Sequence, residues 1–335
     1  MELVLRGKNL LLPTPYCLMP TMYDSLLILT YGGPETTEQI RPFIEKVLGE
    51  HAAPARIEAS VARYERLGGV SPINEQSRAL LVRVVNKMMS VENPVPVYWA
   101  TLYSHPSVEE IVAQMAYDDR KNAAVFIPTP LESEYMNGKF QKAIDAAVDA
   151  LESTSKPSFT FLPSYASREE FIRCGAATIL KGLKFLENQG EKNIKVMLSA
   201  HSLPVTWAET SSYDARFGEL IERITKQIGL SDVMKVWQSK PTGAPGEWLG
   251  PDPVEAIENI AKDSPDCAIL LVPLGFSLDN MEIAYDLDYL AAQACENLGV
   301  NYFRAPTASA EPEFVDMIIN LLSGELRVAS CELRE

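Results

Sequence analysis

Unbroken apolar runs alternate along this chain with stretches whose apolar positions recur every three to four residues. Residues 25–29 (Ser25-Leu26-Leu27-Ile28-Leu29) are apolar on both alternating faces, the mark of a strand covered on two sides. Helical spacing follows over 38–48 and 76–89, then a strand at 95–101 and a helix at 108–117. The same alternation predicts a strand at 123–127, a helix at 140–151, a strand at 159–162 and a helix at 169–188. The second half repeats the plan, with strands at 194–200, 233–239, 267–272 and 301–303. Between and after them, helical spacing runs over 216–228, 253–262, 279–298 and 311–322. Strands and helices in strict alternation predict an α/β fold of parallel sheets flanked by helices. Two similar halves predict two such domains with a cleft between them.

Composition narrows the partners. A chain of 335 residues, 47% of them apolar, has material for two cores. Its net charge of −15 opposes a nucleic-acid surface and does not favour anionic membranes. The five cysteines (Cys17, Cys174, Cys267, Cys295, Cys331) are scattered and show no CxxC spacing, so they read as free thiols in a reducing compartment. Residues 1–23 carry two short apolar patches broken by Arg6, Lys8 and prolines, which fits a loosely structured leader better than a secretory signal. No stretch predicts a transmembrane segment, and a cytoplasmic monomer is expected.

Chemistry concentrates at the ends of two strands. Only three histidines occur, and His201 directly follows the apolar run 194–200, with Pro204 forcing a turn. Open α/β sheets place ligand crevices at the carboxyl ends of their strands. A second segment has the same layout: Ala268-Ile269-Leu270-Leu271-Val272-Pro273-Leu274-Gly275-Phe276, then Ser277-Leu278-Asp279-Asn280-Met281-Glu282. Ser277 or Asp279 is expected to cap a helix carrying Glu282, Asp286 and Asp288 near its start. Acids in a first turn are ordinary, but Glu282, between Met281 and Ile283, is placed to face the crevice. Neither Gly32-Gly33 nor Gly68-Gly69 forms a dinucleotide fingerprint; both read as tight turns, at least one of them admitting a flat ligand.

Ser199-Ala200-His201-Ser202-Leu203-Pro204 together with Gly275 to Glu282 resembles the ferrochelatase family. Four more stretches agree in order: Leu29 to Glu35, Arg63 to Pro72, Trp237-Gln238-Ser239-Lys240 and Glu247 to Pro251. The resemblance runs from about Asp24 to about Leu322. It implies two Rossmann-like domains with a porphyrin in the cleft, the first over 24–185 plus 310–325 and the second over 186–309. It also implies that the last helix returns to the first domain. The implied reaction is insertion of substrate Fe2+ into a porphyrin, with no organic cofactor. An imidazole that accepts a pyrrole proton and ligates a first-row metal, beside a carboxylate, suits that reaction. His201 and Glu282 match the family's functional pair. Tyr31 matches a tyrosine of the coproporphyrin III branch that can serve as an axial oxygen ligand.

By the same resemblance Trp248 lines the porphyrin slot, and Tyr31, Ser71, Gln76 and Ser239 are expected to contact the porphyrin. Asn280, Asp286 and Arg63 are secondary candidates. Some members hold an iron-sulfur cluster near the C-terminus; only Cys331 lies there, so none is expected. Asn280 stands where the family usually has a second histidine, and Leu290 where a further acid follows Glu282 and Asp286. Thr129-Pro130-Leu131-Glu132 replaces an aromatic, serine-rich stretch. A usual basic pair is missing near Leu48 to His51, which leaves Arg56, Arg63 or Arg66 to meet propionates. Coproporphyrin III is the expected substrate. The alternatives are protoporphyrin IX or a porphyrin-binding relative without turnover.

Overall fold

A computed structural model describes residues 23–131, 134–152, 155–241 and 245–332. Most of the leader expected over 1–23 lies outside these residues; Tyr23 is buried and packs with the core.

The first half runs β1 (Ser25–Thr30), α1 (Ile40–Leu48), α2 (Pro54–Arg66), α3 (Ile73–Met88), β2 (Val97–Thr101), α4 (Val108–Tyr117), β3 (Asn122–Phe126), α5 (Glu134–Asp149) and β4 (Ser158–Phe161). The second runs α6 (Glu169–Asn188), β5 (Ile194–His201), α7 (Val205–Thr210), α8 (Tyr213–Ile228), β6 (Val233–Gln238), α9 (Pro253–Asp263) and β7 (Ala268–Val272). It continues with α10 (Met281–Ile283), a π-helix (Ala284–Ala291), α11 (Ala292–Leu298), β8 (Asn301–Arg304) and α12 (Pro312–Glu332). Each half forms a four-stranded parallel sheet, in the orders β2-β1-β3-β4 and β6-β5-β7-β8. The fold is the expected α/β arrangement.

Three expectations are corrected. α2 was not anticipated, because its surface is charged and only Val61 of its residues is buried. α7 is a single short helix that leaves little periodicity to read. The helix expected unbroken over 279–298 is interrupted by i→i+5 pairing, a departure frequent at functional sites.

Each sheet keeps a core of its own on one face, around Leu27 and Val125 in the first and Ile269 and Leu271 in the second, and the two share a larger one. One apolar cluster joins Leu26, Ile28 and Phe126 of the first sheet to Leu198, Trp237 and Leu270 of the second, through Phe171, Tyr165 and Phe314. Tyr165 and Phe314 sit edge to face with ring centroids 5.9 Å apart. α12 packs on both α3 and α6. α6 itself lies on the second sheet: a Cβ added at Gly182 would come within 2.5 Å of Leu270 Cδ1, so glycine there permits close helix-sheet contact.

Candidate active site

In each sheet the chain reverses its direction of travel beside the first strand, between β1 and β3 and between β5 and β7, and a crevice opens at such a switch point. His201 is the last residue of β5, paired across to Gln238 of β6. Gly275 follows β7 and crosses against the end of β5. Its N–H donates to Ser199 O (2.9 Å), and an added Cβ would lie 2.5 Å from Ala200 Cβ and 2.7 Å from Ala200 Cα. That close crossing carries the chain to Asn280, whose Oδ1 accepts from Ile283 N (2.9 Å) and caps the helix bearing Glu282.

The cap therefore differs from the expected Ser277 or Asp279. Ser277 is buried and bonds the Tyr165 hydroxyl (2.8 Å). Asp279 and Asp288 both pair with Arg304, at 3.2 and 2.7 Å. Asp288 is thus committed to a structural ion pair, and Asn280 has a capping role.

His201 Nε2 lies 3.4 Å from Glu282 Oε1, with 31% and 45% of the two side chains exposed. The other ring nitrogen, Nδ1, donates to Ser202 O, which fixes the ring orientation. Burial pulls the His201 pKa down. The charge of Glu282, the hydrogen bonds to Glu282 and Ser202 O, and the more distant Asp286 outweigh it and raise it to about 9. Burial pushes Glu282 up, yet the His201 charge and hydrogen bond, with Arg63, hold it below its ordinary value. At neutral pH the pair is imidazolium and carboxylate, where the sequence had suggested a neutral base. Partial exposure screens this attraction, so it governs protonation more than stability.

Asp286 follows on the π-helix and accepts from Ser239 Oγ (2.7 Å). Burial, with the nearby Glu282 charge, raises it to about 6 despite the opposing Ser239 bond. Ser239, at φ 69°, reaches it from the left-handed region of the backbone. Across the cleft the Arg63 guanidinium stacks over Tyr285 (5.3 Å) and Arg66 over Tyr289 (5.5 Å), with Arg66 Nη1 donating to the Tyr289 hydroxyl (2.7 Å). Burial and the Glu282 charge raise the phenols of Tyr64 and Tyr213 above the usual range. Tyr64, Tyr213, Gly275, Tyr285 and Tyr289 are thus site residues that were not singled out for roles. Tyr64 and Gly275 did lie inside the motif stretches.

The structure brings together His201, Glu282, Asp286, Ser239 and Arg63. Trp248 belongs to a loop hung on the same strand extension: Ser202 Oγ donates to Leu249 O (2.8 Å) and Leu249 N to Leu203 O (3.0 Å). The indole Nε1 donates to Pro245 O (3.0 Å). The first domain's candidates sit differently. Tyr31, half-buried at the end of β1, packs against Tyr103 (4.8 Å between centroids) and edge-on to Phe140. Ser71 is buried beneath Gly33, where an added Cβ would meet Ser71 Cβ at 2.6 Å, so it backs the turn and does not open to the cleft. Gln76 is half-buried on α3. Gly32 has φ 77°, and an added Cβ there would lie 2.2 Å from Ser104 Oγ, so this turn is tight against its own chain. His105 Nδ1 meets Glu110 (3.0 Å) at the capped start of α4.

Among the described residues no three His, Cys, Asp or Glu side chains gather as a metal-holding group. Cys174, Cys267 and Cys295 are buried free thiols; Cys17 and the side chain of Cys331 lie outside the described residues. No helix among the described residues is long and apolar enough to cross a membrane.

The ferrochelatase family model matches residues 23–326. The coproporphyrin III ferrochelatase of Nocardia farcinica is 32% identical over 313 residues, covering 90% of this chain and 88% of that protein. A ferrochelatase of Rhodopirellula baltica is 30% identical over 308 residues, covering 91% and 86%. Among solved structures, SirB from Bacillus subtilis with Fe3+ aligns at a TM-score of 0.56 and 11% identity, covering 90% of this chain and 96% of that one. At that identity the likeness speaks for the fold. The matched family model spans both sheets and every residue around His201 and Glu282, and on that ground the chain belongs to the ferrochelatase family.

Proposed function

We propose that the protein inserts Fe2+ into a porphyrin in haem formation, with coproporphyrin III ahead of protoporphyrin IX as substrate. The observation that carries this reading is the His201–Glu282 pair, 3.4 Å apart at the switch point of the second sheet.

Metal insertion removes two pyrrole protons as one cation arrives. In the unloaded site the Glu282 charge keeps a proton on His201. Fe2+ approaching that carboxylate neutralises the very charge that holds the proton, so metal arrival turns the imidazolium into a neutral base and ligand. The proton released from His201 leaves by Asp286 to solvent; His201 Nε2 then takes the two pyrrole protons in turn and hands each on by the same route, while Fe2+ passes from the Glu282 carboxylate to the pyrrole nitrogens. Asp286, with its raised pKa, accepts protons near neutral pH more readily than an ordinary carboxylate and leads outward through Ser239. A donor set of one imidazole and carboxylate oxygens handles Fe2+ without trapping it.

Trp248 and Tyr31 supply flat apolar surface for the macrocycle, with Tyr31 the candidate axial oxygen. The preference for coproporphyrin III is supported by Tyr31-Gly32, by Gly68 to Pro72, and by relatives bearing that name. Ferrous iron and free thiols suit a reducing cytoplasm, and a monomer suffices, since the pair and its neighbours come from one chain. Asn280 and Leu290, which depart from the family pattern, favour as second reading a porphyrin-binding relative without turnover. Anaerobic incubation of the purified protein with Fe2+ and each porphyrin separates the readings. Multiple turnovers, with higher kcat/KM for coproporphyrin III, support the proposal. Binding of porphyrin with no metal inserted supports the second reading instead.

A further inference from the structure

The turn that carries Glu282 toward His201 is tied to its own sheet at both ends. Gly275 N donates to Ser199 O of β5 (2.9 Å), and Asp279 pairs with Arg304 of β8 (3.2 Å). Between them Ser277 is tied elsewhere. Its buried Oγ shares a hydrogen bond of 2.8 Å with the hydroxyl of Tyr165, 112 residues earlier, in the connection between β4 and α6. Tyr165 stands where the two halves of the molecule meet. Its ring centroid lies 5.3 Å from that of Phe126 on β3, 5.1 Å from Phe171 on α6 and 5.9 Å from Phe314 on α12. Of these four buried rings only that of Tyr165 carries a hydroxyl, and apolar packing alone gives no reason for one, since a buried hydroxyl costs stability unless it is bonded.

A ring seated against three others in a close-packed core has little room to follow a moving loop, so the loop follows the ring. Only Leu278 and Asp279 separate Ser277 from the Asn280 cap, and both are held, Leu278 in the same core and Asp279 on Arg304. Displacement of Ser277 therefore passes to the start of the helix that bears Glu282. Given the proposed function, on which this assignment rests, we infer that Tyr165 is a positioning residue for iron insertion: its hydroxyl, acting through Ser277, sets Glu282 against His201 and makes that distance depend on how the two sheets are seated. A reacting group displaced by about 1 Å costs up to on the order of a hundredfold in rate, and loss of one tether among several should cost about tenfold.

The test compares the full chain with its Tyr165→Phe, Ser277→Ala and double variants in iron insertion, porphyrin binding and chemical denaturation. Each single variant should lower kcat about tenfold with the porphyrin KM and Kd within about twofold of wild type, and the double variant should fall no further, as for two residues acting as one unit. Tyr165→Phe strands the buried Ser277 hydroxyl, whereas the double variant leaves no such orphan. The double variant should therefore be more stable than Tyr165→Phe with no gain in kcat. Four results would each overturn the assignment: kcat within about threefold in both single variants, a double-variant loss equal to the product of the single losses, a loss that falls on porphyrin affinity, or a kcat that recovers with stability. Should one single variant not fold, the other decides by the same thresholds. If the wild type inserts no iron, the proposed function fails by itself, and the His201 ring resonances at neutral pH then decide: a shift in both single variants supports the tether, and unchanged resonances overturn it.

Discussion

The two sheets share one strand order, yet only one of them ends its central strand in titratable chemistry. β1 closes on Thr30, buried and bonded to the Trp99 indole N–H (2.9 Å), and Tyr31 then packs among aromatic rings. β5 closes on His201, which faces Glu282 with Asp286 behind it. The same topology makes a crevice in both halves; what differs is the segment that follows the neighbouring strand. After β7 a glycine crossing and an asparagine cap aim a carboxylate back at β5. Substitutions in the second half should therefore stop the chemistry, and those in the first should alter only how the flat ligand sits.

The largest effect is expected at His201. His201→Ala should lower Fe2+ insertion by at least about a thousandfold while porphyrin affinity, held by apolar contact, stays within about threefold. Near-normal turnover in the folded variant would return His201 to a strand-end residue. Glu282→Gln keeps shape and removes charge, and insertion should fall about a hundredfold; a loss below threefold would leave Glu282 as an ordinary acid in a first helical turn.

Much of this contrast was legible in the sequence, for physical reasons that also mark its limits. The strands were readable because both faces of a central parallel strand are apolar, as in 25–29 and 268–272. His201 and Glu282 stood out because each follows such a run. α2 was not readable, since a helix that buries little beyond Val61 leaves no stripe. The π-helix was not, because i→i+5 pairing has no distinct spacing over eight residues. Asp279 read as a helix cap and Asp288 as an acid near a helix start until Arg304, 25 and 16 residues on, claimed them. The same distance problem hid Tyr64 and Tyr213, which meet the Glu282 field only in three dimensions.

Gly275→Ala probes how the carboxylate is aimed. Its new Cβ would meet Ala200 backbone, so the turn must shift, at about 1–3 kcal/mol of stability by chemical denaturation and about tenfold in insertion. Full activity with unchanged stability would show that the close crossing does not set the pair. The smallest effect is expected in the first half. Tyr31→Phe keeps the ring against Tyr103 and should change insertion by less than about threefold, while altering the absorption spectrum of the iron product. A large loss of rate there would erase the division of labour between the sheets.

The coupling of His201 to Glu282 is tested most directly by following the His201 ring resonances through a pH titration in the wild type and in Glu282→Gln. With Glu282 present the imidazole should titrate near pH 9, because a proton gained against a carboxylate is held more tightly than in the unfolded chain. The matching stability is full below the ordinary histidine pKa and is lost as pH rises through 9. In Glu282→Gln the chief raising cause is gone and burial remains, so the midpoint should drop by at least one unit. A wild-type midpoint at the ordinary histidine value, unmoved by Glu282→Gln, would contradict the ion pair and with it the release of that proton by arriving Fe2+.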